Sequence, residues 1–584
     1  MYFPAICLVI LMSPASLAME VDLAPNFESP GAVGDLMTWI ATAHDSAPGT
    51  LWYRFRSRAP AGAYRIVRDF GPNPVIDFAA VDHEGVYEME VTVRNLDTGE
   101  TDSAVGAYEF LSRITNEPLV NATAHPLVFL LSAPACPEGS AMRVEFRTGT
   151  EPLIRTPPKP CDGALTMNFF LAGLRSETAY VANAILVSGT GTTRGPALPF
   201  QTDAVADMQP PPTVLSNQTL PTVNTALLNS DGVATDLGGN QIWFNPIALS
   251  NITRTEAGGY FWGYVQDPGA GPAYQLLRKV DLLGQTVLET NAARVNEQLA
   301  ALGRRPITSF HHEVRPIGNG RVMALAATEQ IVHNVQGPGA VNVLGDMILV
   351  LDQDLNVVWT WDAFDWLNVS REAILDEKCT PTAGGCPPFN ETPTANDWTH
   401  SNSLQLTPDG NMLMSVRHQD WLLKIDFADG LGDGHILWRL GKGGDFRLDS
   451  ADPQAWFSHQ HDSNFELSDP TRLIVFDNGN TRLAQQGPGA GPINSRGQVW
   501  KLDETAMTAK PVLNTDLGVY AFAVGSAQQL ENGNYHFCAG YVLDGLDRSA
   551  HSFEINRAGV NVYSLQADRL IYRTFRLPDL YSAQ

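Results

Sequence analysis

Basic residues are scarce in this chain. Lysine and arginine number 38 against 63 aspartates and glutamates in 584 residues, a formal net charge of −25. A field of that sign repels polyanions, which argues against nucleic acid or an anionic membrane surface as a partner; an anionic substrate has to be met by a local cation. The acid excess reads first as a solvated surface that keeps an exported protein soluble. Long apolar runs are also missing. Past the amino-terminal residues no stretch of about 18 apolar residues appears, which disfavours a membrane-spanning helix.

Cysteine is nearly as rare, with six residues. Cys7 lies in the amino-terminal apolar segment, Cys136 and Cys161 flank one β segment, Cys379 and Cys386 close a Gly/Pro loop, and Cys538 is left over. Two disulfides are expected, an exported protein's usage. Neither pair has a second Cys/His pair at finger spacing, which argues against zinc. Residues 1–18 run from Met1 through apolar Ala5 to Met12 to Ser16-Leu17-Ala18, the short core and small-residue end of a secretory signal, though without Lys or Arg. Cleavage after Ala18 and a periplasmic or secreted location follow as expectations. Sequons at Asn121, Asn217, Asn251, Asn368 and Asn390 matter only where exported chains are glycosylated.

Glycine (50) and proline (39) are plentiful and 44% of residues are hydrophobic, a large, mostly β protein with more than one core. Residues 19–115 alternate apolar and polar, as in Val86 to Val93, and predict a small β-sandwich. A second sandwich is expected over 116–205. There, Leu171 to Val181 resembles the corner of fibronectin type III modules where a tyrosine locks the turn. Gln209-Pro210-Pro211-Pro212 forms a stiff connector.

From 206 to 584 the rhythm changes. Strand pairs meet at Gly318-Asn319-Gly320, Asp409-Gly410 and Asn532-Gly533, hairpin turns by composition. Strands ending in Asp form the second half of the unit, at Asp281, Asp352 and Asp426. Two hairpins make a four-stranded blade, and about six fit. The predicted fold class is all-β, a six-bladed β-propeller preceded by two small immunoglobulin- or fibronectin III-like β-sandwich domains.

Histidines head three of these repeats: His311-His312-Glu313, Trp398-Thr399-His400-Ser401-Asn402, and Ser458-His459-Gln460-His461-Asp462. Equivalent blade positions face one channel, so the repeat predicts gathered imidazoles. Together with Ser415-Val416-Arg417-His418-Gln419, Ile436 to Gly441 and Phe476-Asp477-Asn478-Gly479, these phrases resemble the bacterial arylsulfate sulfotransferases over about residues 215–584. The resemblance implies a six-bladed propeller exported to the periplasm, without a cofactor or nucleotide donor. It moves a sulfuryl group from a phenolic sulfate donor to a phenolic acceptor through a sulfated histidine. It carries over His461 as nucleophile and His312, His400, Asn402 and Arg417 as helpers. Register favours His312 over His311, and His311 is placed with Asn402 at the substrate.

The chemistry asks for these residue types. Sulfuryl transfer passes through a loose state with negative charge on the outer oxygens and the leaving phenolate. A neutral imidazole can attack in line if its second nitrogen is oriented, here by Asp462 or a backbone carbonyl. Arg417 suits sulfate oxygens, and His400 and His312 can donate hydrogen bonds or a proton. The plainer expectations are structural roles for His459 and His418, a turn or an orienting role for Asp477-Asn478, and an arginine partner for Glu313. Trp359 and Trp438 are expected in the core, and Trp398 is placed to stack on a phenolic ring. Three rivals stand: a metal enzyme using His312, His400, His461 and Asp462, which a neighbouring Arg417 argues against; a non-catalytic binding propeller; and an aryl sulfate hydrolase.

Overall fold

The computed structural model describes residues 19–189, 191–218, 225–247, 249–380, 386–389, 391–466, 468–487 and 491–584. The expected signal segment, residues 1–18, and the sequon asparagine Asn390 lie outside them. The chain is all-β, with helices confined to short pieces such as Ala292–Ala301.

Near the amino terminus, strands Glu20–Pro25, Leu36–His44 and Val75–Ala79 form one sheet. Across a core of Trp39, Phe55, Met89, Val91 and Phe110 they face strands Leu51–Arg58, Gly85–Asn95 and Thr101–Leu111. Next, Leu119–Ala122, Phe129–Ala133 and Met167–Leu171 pair in a second such arrangement with the sheet built on Ala141–Arg147 and Ala179–Ser188. Here Tyr180 Oη accepts the Arg175 N–H at 2.9 Å, the corner lock expected from the sequence. Cys136–Cys161 and Cys379–Cys386 are disulfides, and Cys538 is free and buried.

After the proline-rich connector come six sheets, counted in chain order from the one built on Ala226–Asn229; each has a core of four antiparallel strands, and several carry further strands at their edges. Their innermost strands are β1 (Asn251–Glu256), β2 (Ile307–Gly318), β3 (Ser401–Leu406), β4 (His461–Phe465), β5 (Ser526–Gln529) and β6 (Thr574–Leu577). Each lies beside the next. Thr253 Oγ1 donates to Val314 O, Asn402 Nδ2 to Gln460 O, Asn464 Nδ2 to Ala527 O, and Ser526 Oγ to Thr574 O. The ring closes because β6 pairs with Ala226–Asn229, so one sheet draws strands from both ends of the region. A second seam joins Thr213–Asn217 to Asn561–Ala567. This order is consistent with a six-bladed propeller.

Local chemistry explains the sheets. Asn319 and Gly320 both adopt positive φ, 53° and 70°, the turn an Asn-Gly pair favours in a hairpin. The repeating Asp caps the second turn: Asp281 Oδ1 accepts from the N–H of Leu283 and Gln285, and Asp352 Oδ1 from Asp354 and Asn356.

The second sheet is not independent of the amino-terminal sandwich. Its strand Thr286–Asn291 runs parallel to Arg65–Gly71, where Arg68 Nε donates to Glu289 Oε1 at 2.7 Å in a buried pair. On the ring's axis, Arg254 from β1 donates to Glu313 Oε2 (2.8 Å) of β2 and to Asp462 Oδ1 (2.6 Å) of β4, and Arg573, just before β6, donates to Glu313 (3.0 Å). All four side chains are sealed from solvent. Glu313 thus has the arginine partners expected of it. Charges this deep persist only when paired on all sides, so the cluster ties four sheets together.

Candidate active site

The first strands of the second to fifth sheets all slip register near their entry, between Ile252 and Arg254, Phe310 and Val314, Ser401 and Ser403, and His461 and Asn464. Such bulges re-aim side chains. His312 (φ 58°) and His400 (φ 47°) sit at the irregularities in left-handed conformation, an uncommon state that concentrates at functional sites. In the fifth sheet the positive φ values fall at His459 and Asp462, on either side of His461, so the repeat register is only approximate there.

The result is a chain of imidazoles. Ring centroids lie 4.8 Å apart for His311–His312, 4.9 Å for His312–His400, 4.6 Å for His400–His418 and 5.6 Å for His418–His459. Tyr572 packs edge-on against His312 at 5.4 Å and against His461 at 6.4 Å. Three of the expected catalytic residues, His312, His400 and His461, therefore gather in one place.

His461 has one defined tautomer. Its Nδ1 is 2.7 Å from Asn478 Oδ1, and the Asn478 Nδ2 is spent on the carbonyls of Ala521 and Val524. Two carbonyls fix that amide's orientation, so Oδ1 is the acceptor, Nδ1 carries the proton and Nε2 keeps its lone pair. Burial holds His461 well below the ordinary imidazole range, and the neighbouring Arg417 charge adds to this. Asp462, expected to orient His461, does not. It faces Arg254, and although burial raises its pKa, Arg254, Arg573 and Arg315 together hold it far below the carboxylate range.

Arg417 lies in a short 3-10 turn, Arg417–Gln419, at the end of Met412–Val416. It is buried, it makes no ion pair among the described residues, and one guanidinium nitrogen donates to His418 Nε2. His418 Nδ1 donates to the carbonyl of Asp397 at 2.6 Å, so His418 is the neutral tautomer that accepts from Arg417. Burial keeps it neutral, and the charges of His400 and Arg417 add to this. His459 bridges Asp420 Oδ1 (2.9 Å) and Glu377. Both histidines hold the framework, as expected of them.

His400 Nδ1 is 2.6 Å from Asp397 Oδ2, which leaves Nε2 toward the cluster. His312 Nδ1 meets His311 Nδ1 at 2.6 Å. Burial holds His312 well below its ordinary range, with the charges of His311, His400 and His461 adding to the effect. His311, placed at the substrate by the sequence, turns the other way, with Nε2 3.2 Å from Asp346 Oδ1. Asn402 is fully buried and spends its amide on Gln460 O and the Asp462 N–H (3.4 Å); it fastens β3 to β4 beside His461. Trp398 is core, donating to Arg371 O (2.7 Å) and packed on Phe364, so it is not free to stack on a ring.

Asn478, Asp397 and Tyr572 complete the cluster. Asn478 stood in a recognised phrase, whereas Tyr572 follows no repeat that marks it. The Tyr572 hydroxyl is covered and makes no hydrogen bond among the described residues, and burial pushes its pKa up, so it stays a donor. Of the four groups close enough to hold an ion among the described residues, two lie at this cluster, Glu377 with His418 and His459, and Asp397 with His400 and His418. Both include His418, whose nitrogens are already engaged by Arg417 and Asp397. His312, His400, His461 and Asp462 form no such group among the described residues.

Fold and site define an all-β scaffold with a cluster of buried imidazoles beside a guanidinium that makes no ion pair among the described residues. The arylsulfotransferase (ASST) family model matches residues 211–569, more than half of the chain, and the chain belongs to this family. Aryl sulfotransfer is the chemistry that membership supports. No curated protein matches. Among solved structures, the FN1–FN3 domains of chicken CNTN1 are similar at 11% identity over 31% of this chain and 66% of that one, with a TM-score of 0.13. A two-domain fibronectin type III segment of chicken tenascin is similar at 12% identity over 31% and 98%, with a TM-score of 0.14. At such scores the fold rests on the strand pairing alone.

Proposed function

We propose that this protein moves a sulfuryl group from a phenolic sulfate ester to another phenol through a sulfated His461, without a nucleotide donor. The observation that carries the reading is the pairing of His461 Nδ1 with Asn478 Oδ1, which leaves a neutral Nε2 beside a guanidinium that makes no ion pair among the described residues. Nε2 attacks sulfur in line as the S–O bond to the aryl oxygen breaks, and the electron pair leaves on the phenolate. Arg417 is a preorganised counter-charge for the sulfuryl oxygens, and the Tyr572 hydroxyl a neutral donor to them. His400, backed by Asp397, and His312 handle the proton at the departing and arriving phenol oxygens. A phenol then attacks sulfur and restores His461.

Two disulfides support a location outside the reducing cytoplasm, and among the described residues no helix is long and apolar enough to cross a membrane. The test is incubation with a chromogenic aryl sulfate, with and without phenol, followed by mass analysis of the peptide bearing His461. Phenol-dependent chromophore release with sulfate on that peptide is expected. Release independent of phenol overturns transfer, and an unmodified His461 overturns the intermediate.

A further inference from the structure

Phenol-to-phenol transfer in two steps has a proton problem. The first phenolate needs a proton when it leaves, and the second phenol must lose one when it attacks. The cluster around His461 is buried, with the Arg417 and Arg573 guanidiniums beside it. His312, the imidazole next to it, faces His311, His400, His461, Tyr572 and Arg573. A proton held on His312 itself would sit among groups that repel it.

An outlet exists on the other side. His311 Nε2 lies 3.2 Å from Asp346 Oδ1, a close approach without hydrogen-bond alignment; a bare lone pair at that distance from a carboxylate is repulsive, so Nε2 carries the hydrogen. When His311 is neutral its Nδ1 accepts, and the 2.6 Å contact with His312 is then an Nδ1–H of His312 pointing at His311. That leaves His312 Nε2 bare toward the site. Asp346 is itself held in place, its Oδ2 accepting the Ser401 N–H at 2.6 Å, next to His400. His311 and Asp346 are both buried, whereas His312 keeps part of its surface open. This is the arrangement of a relay, with one open end and one closed.

We infer that Asp346 and His311 form a proton store behind His312, holding the phenolic proton between one sulfuryl transfer and the next. The inference rests on the proposed two-step transfer. When the acceptor phenol attacks sulfur, its O–H proton goes to His312 Nε2, and the S–N bond breaks with its electron pair returning to His461. The Nδ1 proton of His312 passes to His311 Nδ1. His311 is then an imidazolium against the Asp346 carboxylate, its charge removed from Arg417 and Arg573. The next donor ester reverses the shift: His311 returns a proton to His312 Nδ1, and His312 Nε2–H protonates the leaving phenolate as the S–O bond breaks. One proton enters and one leaves per turnover. While His461 is sulfated the store is empty.

The store makes Asp346 a positioning residue whose effect depends on the leaving group. In single-turnover sulfation of His461, followed by mass, the Asp346→Asn protein should react with phenyl sulfate about 100-fold more slowly than wild type. With 4-nitrophenyl sulfate, whose phenolate departs unprotonated, it should lose far less. His311→Gln, which also breaks the relay, should give the same contrast. Equal losses with both donors mean a structural role only, and overturn the store; no loss with phenyl sulfate overturns it too. In the wild-type protein, 15N NMR should find the His312 proton on Nδ1 when the store is empty, and a proton on Nε2 alone there overturns the relay even if neither variant folds. Absence of sulfate on His461 of the wild type with both donors would instead sink the two-step transfer.

Discussion

Asn478 presents its Oδ1 to His461 Nδ1 from 2.7 Å while its own amide nitrogen is pinned by two carbonyls of the segment that leads into β5. A rotatable side chain has become a fixed acceptor. Its partner imidazole can hold its single proton in only one place, so tautomer selection is built into two neighbouring sheets.

Replacing that acceptor should therefore cost turnover rather than fold. Asn478→Leu leaves Nδ1 without a partner and frees the proton to move to Nε2, and kcat should fall about 100-fold or more. Steady-state kinetics beside an unchanged circular dichroism spectrum check it.

Arg417 should not tolerate its usual substitute. Arg417→Lys keeps the charge but loses the planar fork and the donation to His418 Nε2, so kcat/KM for an aryl sulfate should drop by about 100-fold. A variant with near wild-type kcat/KM would show that a point charge is enough.

The axial charge cluster predicts a stability effect far from any substrate. Glu313→Ala would leave Arg254 and Arg573 facing each other across a sealed site, at a cost of about 3–5 kcal/mol. Glu313→Gln, which keeps the volume and one acceptor, should cost less. Denaturant unfolding of both measures the difference.

Stability should also decline as the medium is acidified from neutral. His312, His418 and His461 are held well below their ordinary value of 6.5 by burial, and His125 is pushed down to about 4 by the same cause. Below 6.5 the unfolded chain binds protons that the folded chain refuses. Each such histidine then removes up to about 1.4 kcal/mol per pH unit until its folded value is reached. Activity should behave differently: the nucleophile stays neutral, so the acid limb of kcat/KM assigned to His461 should lie below 6.5. An acid limb at 6.5 that shifts in His461 variants would contradict this.

Much of the scaffold was legible because it is written locally. The Asn319-Gly320 turn, the Asp caps at Asp281 and Asp352 and the Tyr180 corner each follow from residues a few positions apart. The gathering of His312, His400 and His461 was legible through the repeat. The finer chemistry was not, because it is settled between sheets. Asp462, adjacent to the nucleophile in sequence, looked like its orienting group, yet Arg254, 208 residues away, claims it. Likewise His311 turns its Nε2 to Asp346 and Trp398 its indole N–H to the carbonyl of Arg371, partners from other strands and loops that adjacency in the chain does not reveal.

The ring closes with a strand from its far end. β6 supplies the innermost edge of a sheet whose other strands begin at Ala226, and Arg573 immediately before it reaches Glu313 and the carbonyl of Asn402. A ribosome or an export channel delivers that segment after every other part of the toroid. Until it arrives Glu313 lacks one of its two counter-ions and Tyr572 is missing from the imidazole cluster, so the cluster is complete only once this strand has joined its sheet.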